Sequence, residues 1–179
     1  SVNWRNDGYE LKNNKKAVLR NQKYYFTEGL TYSSSGSKGT TFRVLPANAV
    51  ISGGGPGIHP LTEKYSTLFC LGYLNSKFIS YVIDCLNPTV NTTQGDLNRI
   101  PIAINNINAI NQIEILVGEC LKFSNYILSF SFTNSNFERS PLDALNRDLE
   151  ESLQAFLILE NHLTSRILIC QSLIDGIIM

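Results

Sequence analysis

The sequence predicts an α+β fold, with a small mixed β section carrying Gly/Ser-rich loops, then short helices and a long C-terminal helical hairpin. Three observations predict it. β-branched and aromatic residues flank a Ser/Gly loop between Tyr24 and Ile51, apolar residues recur three and four apart within 61–86 and 105–129, and a last such run fills the C-terminus.

Residues 1–23 are polar and rich in Asn and Lys, with a lone Trp4 and no sustained period, and are expected to be an irregular linker from a missing catalytic domain. From Tyr24 the pattern turns strand-like: YYFTEGLTY, the turn-rich SSSGSKG, then TTFRVLPANAVI, giving two or three strands around an exposed loop from Ser33 to Gly39. The run Gly53-Gly54-Gly55-Pro56-Gly57 favours turns and is expected to close the β section outside regular structure. Leu68, Leu71, Leu74, Phe78, Tyr81, Val82 and Cys85 then follow a helical period, with Asn75-Ser76 as a break between two short helices that end before Pro88.

NPTVNTTQGDLNRIPI returns to extended or turn character. A helix is expected over 105–129, with Ile107, Ile110, Ile113, Leu116, Val117, Cys120 and Leu121 on one face, and SFTNSNFERSP is expected as a loop. In the final run Leu142, Leu145, Leu149, Leu153, Phe156, Leu159, Leu163, Ile167, Cys170 and Ile174 recur at steps of three and four. A helix of that length reaches roughly 45 Å at ~1.5 Å per residue and is expected to pack along 105–129. The resulting division is a linker over 1–23, a recognition unit over 24–104 and a helical scaffold or docking region over 105–179.

With 179 residues, 43% of them hydrophobic, the chain can bury one real core. It opens on Ser1 and its one methionine is Met179, which suggests an excised fragment. No apolar stretch approaches the roughly 20 residues of a membrane span and no signal-peptide core is present, so no membrane partner and a cytoplasmic setting are expected. Cys70, Cys85, Cys120 and Cys170 are scattered without a CxxC pair, and are expected to be buried, reduced thiols. The net charge of zero hides a gradient: residues 1–45 carry eight basic and three acidic groups, whereas 105–179 carry four basic and nine acidic ones. Only the N-terminal end suits a polyanion.

Most chemistry is excluded by absence. GGGPG resembles an esterase oxyanion loop, but the chain has no GxSxG nucleophile, and GSKGT does not fit a P-loop. Neither His59 nor His162 has a second His or Cys at metal-ligand spacing, so no metal site is expected. His59 keeps a possible binding role beside the glycine run. Asp143, Asp148, Glu150, Glu151 and Glu160, with Arg147 and Arg166 among them, fit a solvated helix face rather than a catalytic cluster.

What remains is a basic, aromatic, hydroxyl-rich section: Tyr24, Tyr25, Tyr32, Ser33 to Ser35, Lys38, Thr40, Thr41 and Arg43. Such groups can neutralise phosphates, set register and, through an arginine, read guanine. An ordinary polar hairpin has the same composition.

The order of segments distinguishes the two. The strand Gly29-Leu30-Thr31-Tyr32-Ser33 precedes a Ser/Gly loop and Arg43. The helical element Leu71-Gly72-x-Leu74-Asn75-Ser76-Lys77 follows, then Asn87-Pro88-Thr89-x-Asn91, Gly95-Asp96 and Ile100-Pro101-Ile102, and Phe137 to Leu142 lie before the last helix. This series resembles the C-terminal region of the PglX-like adenine-specific methyltransferases of bacteriophage-exclusion (BREX) systems, and more distantly the recognition domains of fused restriction-modification enzymes. The Trp-rich stretch usual in the family just before Phe137 is missing.

The resemblance implies a target-recognition segment of a phage-defence DNA methyltransferase. Its partners would be duplex DNA, its own methyltransferase domain and other defence subunits. No cofactor is expected on this segment, because S-adenosylmethionine would bind the parent's catalytic domain. Asn87-Pro88-Thr89 lacks the second proline and the aromatic of an Asn-Pro-Pro-Tyr site, so no catalytic residue is expected. The implied DNA contacts are Tyr32, Ser34, Ser35, Lys38, Thr40 and Arg43, with Lys15, Lys16 and Lys23 on phosphates and His59 nearby. The alternative is a protein-interaction module that uses the acidic C-terminal helices and makes no DNA contact.

Overall fold

In the computed structural model, residues 4–36, 40–51, 54–134, 137, 140 and 148–179 are described. The fold is α+β, with a three-stranded antiparallel sheet against a layer of helices. β1 (Gly29–Tyr32) lies between β2 (Phe42–Leu45) and β3 (Gly57–Ile58), with Leu30 opposite both Val44 and Ile58. The inward side chains Leu30, Tyr32 and Phe42 are buried, and alternation places Thr31 and Arg43 on the other face.

Two β expectations are corrected. Tyr24 closes a 3-10 turn (Gln22–Tyr24) instead of starting a strand. Gly57, expected outside regular structure, pairs with Thr31 in β3. β3 can come this close because Gly29 has no side chain, since a Cβ there would sit 2.6 Å from the Ile58 carbonyl oxygen and 2.7 Å from His59 Nδ1.

The N-terminal segment is more ordered than its composition suggested. It forms α1 (Arg5–Lys12), whose first turn passes through positive φ at Asn6, Asp7 and Gly8, residue types that tolerate the left-handed region best. Trp4 then meets Tyr25 and Phe26 edge-on at 5.5 and 5.3 Å, which fastens the segment to the start of the β section.

The helical layer follows its sequence signals. Ser66 caps α2 (Thr67–Leu74) through Phe69 N, and Ser76 caps α3 (Lys77–Leu86) through Ile79 N, so the break falls at Asn75-Ser76. α4 (Gln94–Leu97) is a single turn, set in the segment expected to be non-helical, and is held by a capping box between Thr93 and Asp96. α5 (Ile107–Ser129) and α6 (Leu149–Ile178) pack antiparallel, with Cys120 beside Ile167 and Phe130 beside Phe156. Gly72 lets α2 lie against α5, where a Cβ would stand 2.6 Å from Val117 Cγ2.

The buried stripe of α6 is shorter than its periodicity implies. Leu163, Cys170 and Ile174 are buried, while Leu149 is 67% exposed and Leu153 is also exposed. The turns before Phe156 run past the end of α5, and there Ser152 is buried while Leu149 and Leu153 face solvent. Ile107 is exposed at the opposite end of α5. Leu142 and Leu145 lie outside the described residues.

Cys85, expected to be buried, is exposed on the outer face of α3, whereas Cys170 is buried and Cys70 and Cys120 are half-buried. One hydrophobic cluster runs from Leu30 and Phe42 through Phe69, Ile79 and Ile113 to Ile174, so sheet and helices share a core. Among the described residues, no helix is long and apolar enough to cross a membrane.

Candidate nucleic-acid interface

β1 leads directly into the Ser/Gly loop, and the segment 87–96 braces that loop from below. Thr92 N donates to Ser34 O at 2.9 Å, Gly36 N donates to Val90 O at 3.0 Å, Ser35 forms a bridge with Asn91, and the Thr40 and Thr92 hydroxyls share a hydrogen bond. The brace is itself tied together. Asn87 Nδ2 donates to Asn91 O and to Asp96 Oδ2, both at 2.8 Å, and Asp96 also accepts from Thr93 N at 2.9 Å. Asp96 is 9% exposed, and the Asn87 amide, followed by Thr93, holds its carboxyl below the ordinary carboxylate value. Backbone groups that a free loop would leave to water are thus paired before any ligand arrives.

On this base the predicted residues fall into three groups. Ser34 and Ser35 lie in the loop after β1 and Arg43 in β2 beside it, with Arg43 exposed and its Nη2 donating to Ser33 Oγ at 3.0 Å. No described carboxylate pairs with Arg43, so most of its five N–H donors stay available. Thr40 is half-buried and engaged by Thr92. Tyr32 is corrected from surface contact to core, being 1% exposed and packed against Phe42 with ring centroids 5.6 Å apart. Lys38 lies outside the described residues.

The second group sits at the other end of β1, about 10 Å away at ~3.3 Å per residue. Lys23 Nζ lies 4.8 Å from the centroid of the Tyr24 ring, and that ring stacks on His59 at 4.7 Å with 10° between planes. His59 Nδ1 donates to the Glu28 carbonyl at 3.2 Å, while its Nε2 is buried with no partner among the described residues. Lys15 and Lys16, the third group, are exposed on the segment after α1.

A feature absent from the sequence reading lies beside the His59 end: an open groove of about 840 Å³. Its walls come from distant parts of the chain, with Arg20, Asn21 and Tyr24 on one side, His59 at the sheet edge, and Gln94 and Asn98 around α4. Only the aromatic Tyr24 and the glycine run ending beside His59 signalled it in the sequence. Among the described residues, no cluster of His, Cys, Asp and Glu is placed to hold a metal ion.

No protein-family model matches the chain. Over 106 residues, 59% of its length, the chain is 36% identical to the adenine-specific methyltransferase BrxX of Escherichia coli O9:H4 (strain HS). Over 110 residues, 57% of its length, it is 29% identical to the adenine-specific methyltransferase PglX of Lacticaseibacillus casei (strain Zhang). The chain is a homologue of these adenine-specific methyltransferases. The match spans about 9% of the length of each relative.

Set against the fold, the motif residues that suggested this kinship have structural work. Leu71 and Gly72 pack α2 into the core, Asn75 and Ser76 form the helix junction, and Asn87, Asn91 and Asp96 form the brace under the loop.

Proposed function

We propose that this chain is the target-recognition segment of an adenine-N6 DNA methyltransferase of a phage-defence or restriction-modification system, and that it binds duplex DNA through the hairpin tip. The observation that carries the proposal is Arg43, an exposed guanidinium on β2 with no carboxylate partner among the described residues, beside a hydroxyl-rich loop that Thr92 and the Asn87–Asp96 segment brace. Such a group can make a two-pronged hydrogen bond to guanine, while Ser34 and Ser35 set register on phosphates, to which Lys15, Lys16, Lys23 and Lys38 add contacts in this reading. In this reading residues 24–104 contact DNA, and 105–179 support them or meet the parent's other parts.

Methyl transfer would belong to the parent. In this reading S-adenosylmethionine binds the parent's catalytic domain, and no catalytic step is assigned to these residues. The test is binding of the chain to duplex DNA across a salt series. Affinity should fall steeply between about 50 and 200 mM salt, and binding that ignores salt would overturn the phosphate contacts.

A second reading, docking of a protein on the acidic C-terminal helices without DNA contact, is favoured by the exposed Ile158, Leu168, Ile169 and Leu173 of α6. DNA binding that survives Leu168→Ser with Leu173→Ser but is lost with Arg43→Ala would count against it.

A further inference from the structure

The sheet has two edges, and the chain closes only one of them with a side chain. At the β2 edge the Asn75 amide accepts from Phe42 N and donates to Phe42 O, both at 3.0 Å, so the outward main-chain groups there are already used. The same contact fixes the phase of the ladder. Antiparallel pairs alternate between residues that exchange both main-chain bonds and residues that exchange none. Since Phe42 points its groups away from β1, Thr31 exchanges with Arg43, and Leu30 turns the other way and exchanges with Ile58. Gly57 then directs its N–H and C=O away from β1, along the outer edge of β3. Among the described residues, neither group has a hydrogen-bond partner.

The groove of about 840 Å³ lies beside that edge, and its walls come from both faces of the sheet. Ile58, Leu97 and Ile100 are on the core side, packed against the hydrophobic cluster. Ile51 and His59 are on the other side. Gly57 faces opposite to Ile58, and a Cβ there would stand 2.8 Å from Ile51 Cγ2 and 3.0 Å from His59 Nε2. Open main-chain groups between two such walls match one kind of occupant. An extended strand pairs its backbone in the plane of the sheet while its side chains alternate to either face, whereas a helix has spent its main-chain groups internally. Charge narrows the choice. Arg20 is exposed and is the one fully charged residue of the lining, no Asp or Glu is present there, and no described carboxylate pairs with it.

We propose that the outer edge of β3 takes an extended peptide strand from a partner protein, apolar at alternate positions and carrying a carboxylate at the Arg20 end. The partner strand would exchange two main-chain bonds with Gly57 and set its apolar side chains along Leu97 and Ile100. This site is separate from Arg43, so its failure leaves the DNA-binding reading untouched.

The experiment uses the intact chain and a pool of labelled hexapeptides with valine, isoleucine, leucine or phenylalanine at alternate positions, threonine between them and glutamate at either end. At least one should bind saturably, and in the tightest binder a single N-methyl group is walked along the backbone. Where the methyl meets the β3 edge, affinity should fall about tenfold, and at the next residue, whose N–H points away, it should stay within about twofold. Leu61→Asp, at a groove residue 85% exposed, should weaken this peptide about tenfold without moving the urea midpoint of the chain. Arg20→Glu should reverse the preference between peptides ending in glutamate and in lysine. No saturable binding by any peptide, or a loss that ignores the position of the N-methyl group, would overturn strand addition. Binding unchanged by Leu61→Asp would overturn the groove as its location. An oligothymidylate that binds the chain and is lost in Leu61→Asp, when no peptide binds, would make the occupant a nucleic acid instead.

Discussion

Asn75 acts as a partner strand for Phe42. Its Oδ1 accepts from Phe42 N and its Nδ2 donates to Phe42 O, both at 3.0 Å, so one side chain satisfies the two outward backbone groups that β2 would otherwise show to solvent at the sheet edge. A third bond, from Nδ2 to Leu71 O at 3.0 Å, fixes the amide to the end of α2.

Asn75→Ala should therefore destabilise the chain by about 1–2 kcal/mol, from three lost, partly buried hydrogen bonds. Asn75→Asp should cost at least as much, because a carboxylate cannot donate to the Phe42 carbonyl. Urea unfolding of both variants decides the matter, and an alanine variant within about 0.3 kcal/mol of the original would show that water replaces the amide freely.

Acid should loosen the loop brace. Asp96 in the folded chain ionises below its ordinary value of 3.8, so its charged form stabilises the fold above that value, and the contribution is lost as pH falls through 3.8 toward the lower folded value. Stability measured from pH 6 to pH 3 should fall more steeply in the original than in Asp96→Asn. Parallel curves would mean that another acid governs this window.

Arg43→Ala should leave stability within about 0.5 kcal/mol, since the side chain is exposed and, among the described residues, bonds Ser33 alone. Binding to a preferred DNA site should weaken by about 1–3 kcal/mol while binding to unrelated sequences changes less. A uniform loss on every sequence would reassign Arg43 to phosphate.

Cysteine labelling should resolve one fast thiol. Cys85 is exposed, whereas burial, with Cys170 alongside, pushes the Cys120 thiol up to about 11, and Cys170 is raised by burial and by Glu119. A disulfide reagent at pH 8 should modify one thiol quickly in the folded chain, and Cys85→Ser should remove that phase. A fast thiol at Cys120 or Cys170 would contradict the packing between α5 and α6, and one at Cys70 the packing of α2.

α2, α3, α5 and α6 were legible in the sequence from their apolar periods, whereas α1 and the single turn α4 carry no such period and were not. Ser66 and Ser76 sit where the periods of α2 and α3 begin, and Asn106 caps α5. The β hairpin was legible from its composition, but β3 was hidden, since it depends on Gly29 lacking a side chain and not on any strand-forming residue of its own. Tyr32 misled because an aromatic beside a polar loop has the same composition whether it faces water or core; the alternation from Leu30 sends it inward. The groove was illegible for a different reason. Arg20, His59 and Asn98 are far apart in sequence, and only tertiary packing sets them around one space.

The junction between α2 and α3 ties both ends of the molecule to three consecutive residues. Asn75 grips the sheet, Ser76 starts α3, and the Lys77 backbone N–H donates at 2.8 Å to Asp175, near the end of α6. The edge of the sheet and the last turns of α6 are therefore anchored on neighbouring residues of one helix junction, so a change at this junction disturbs both at once.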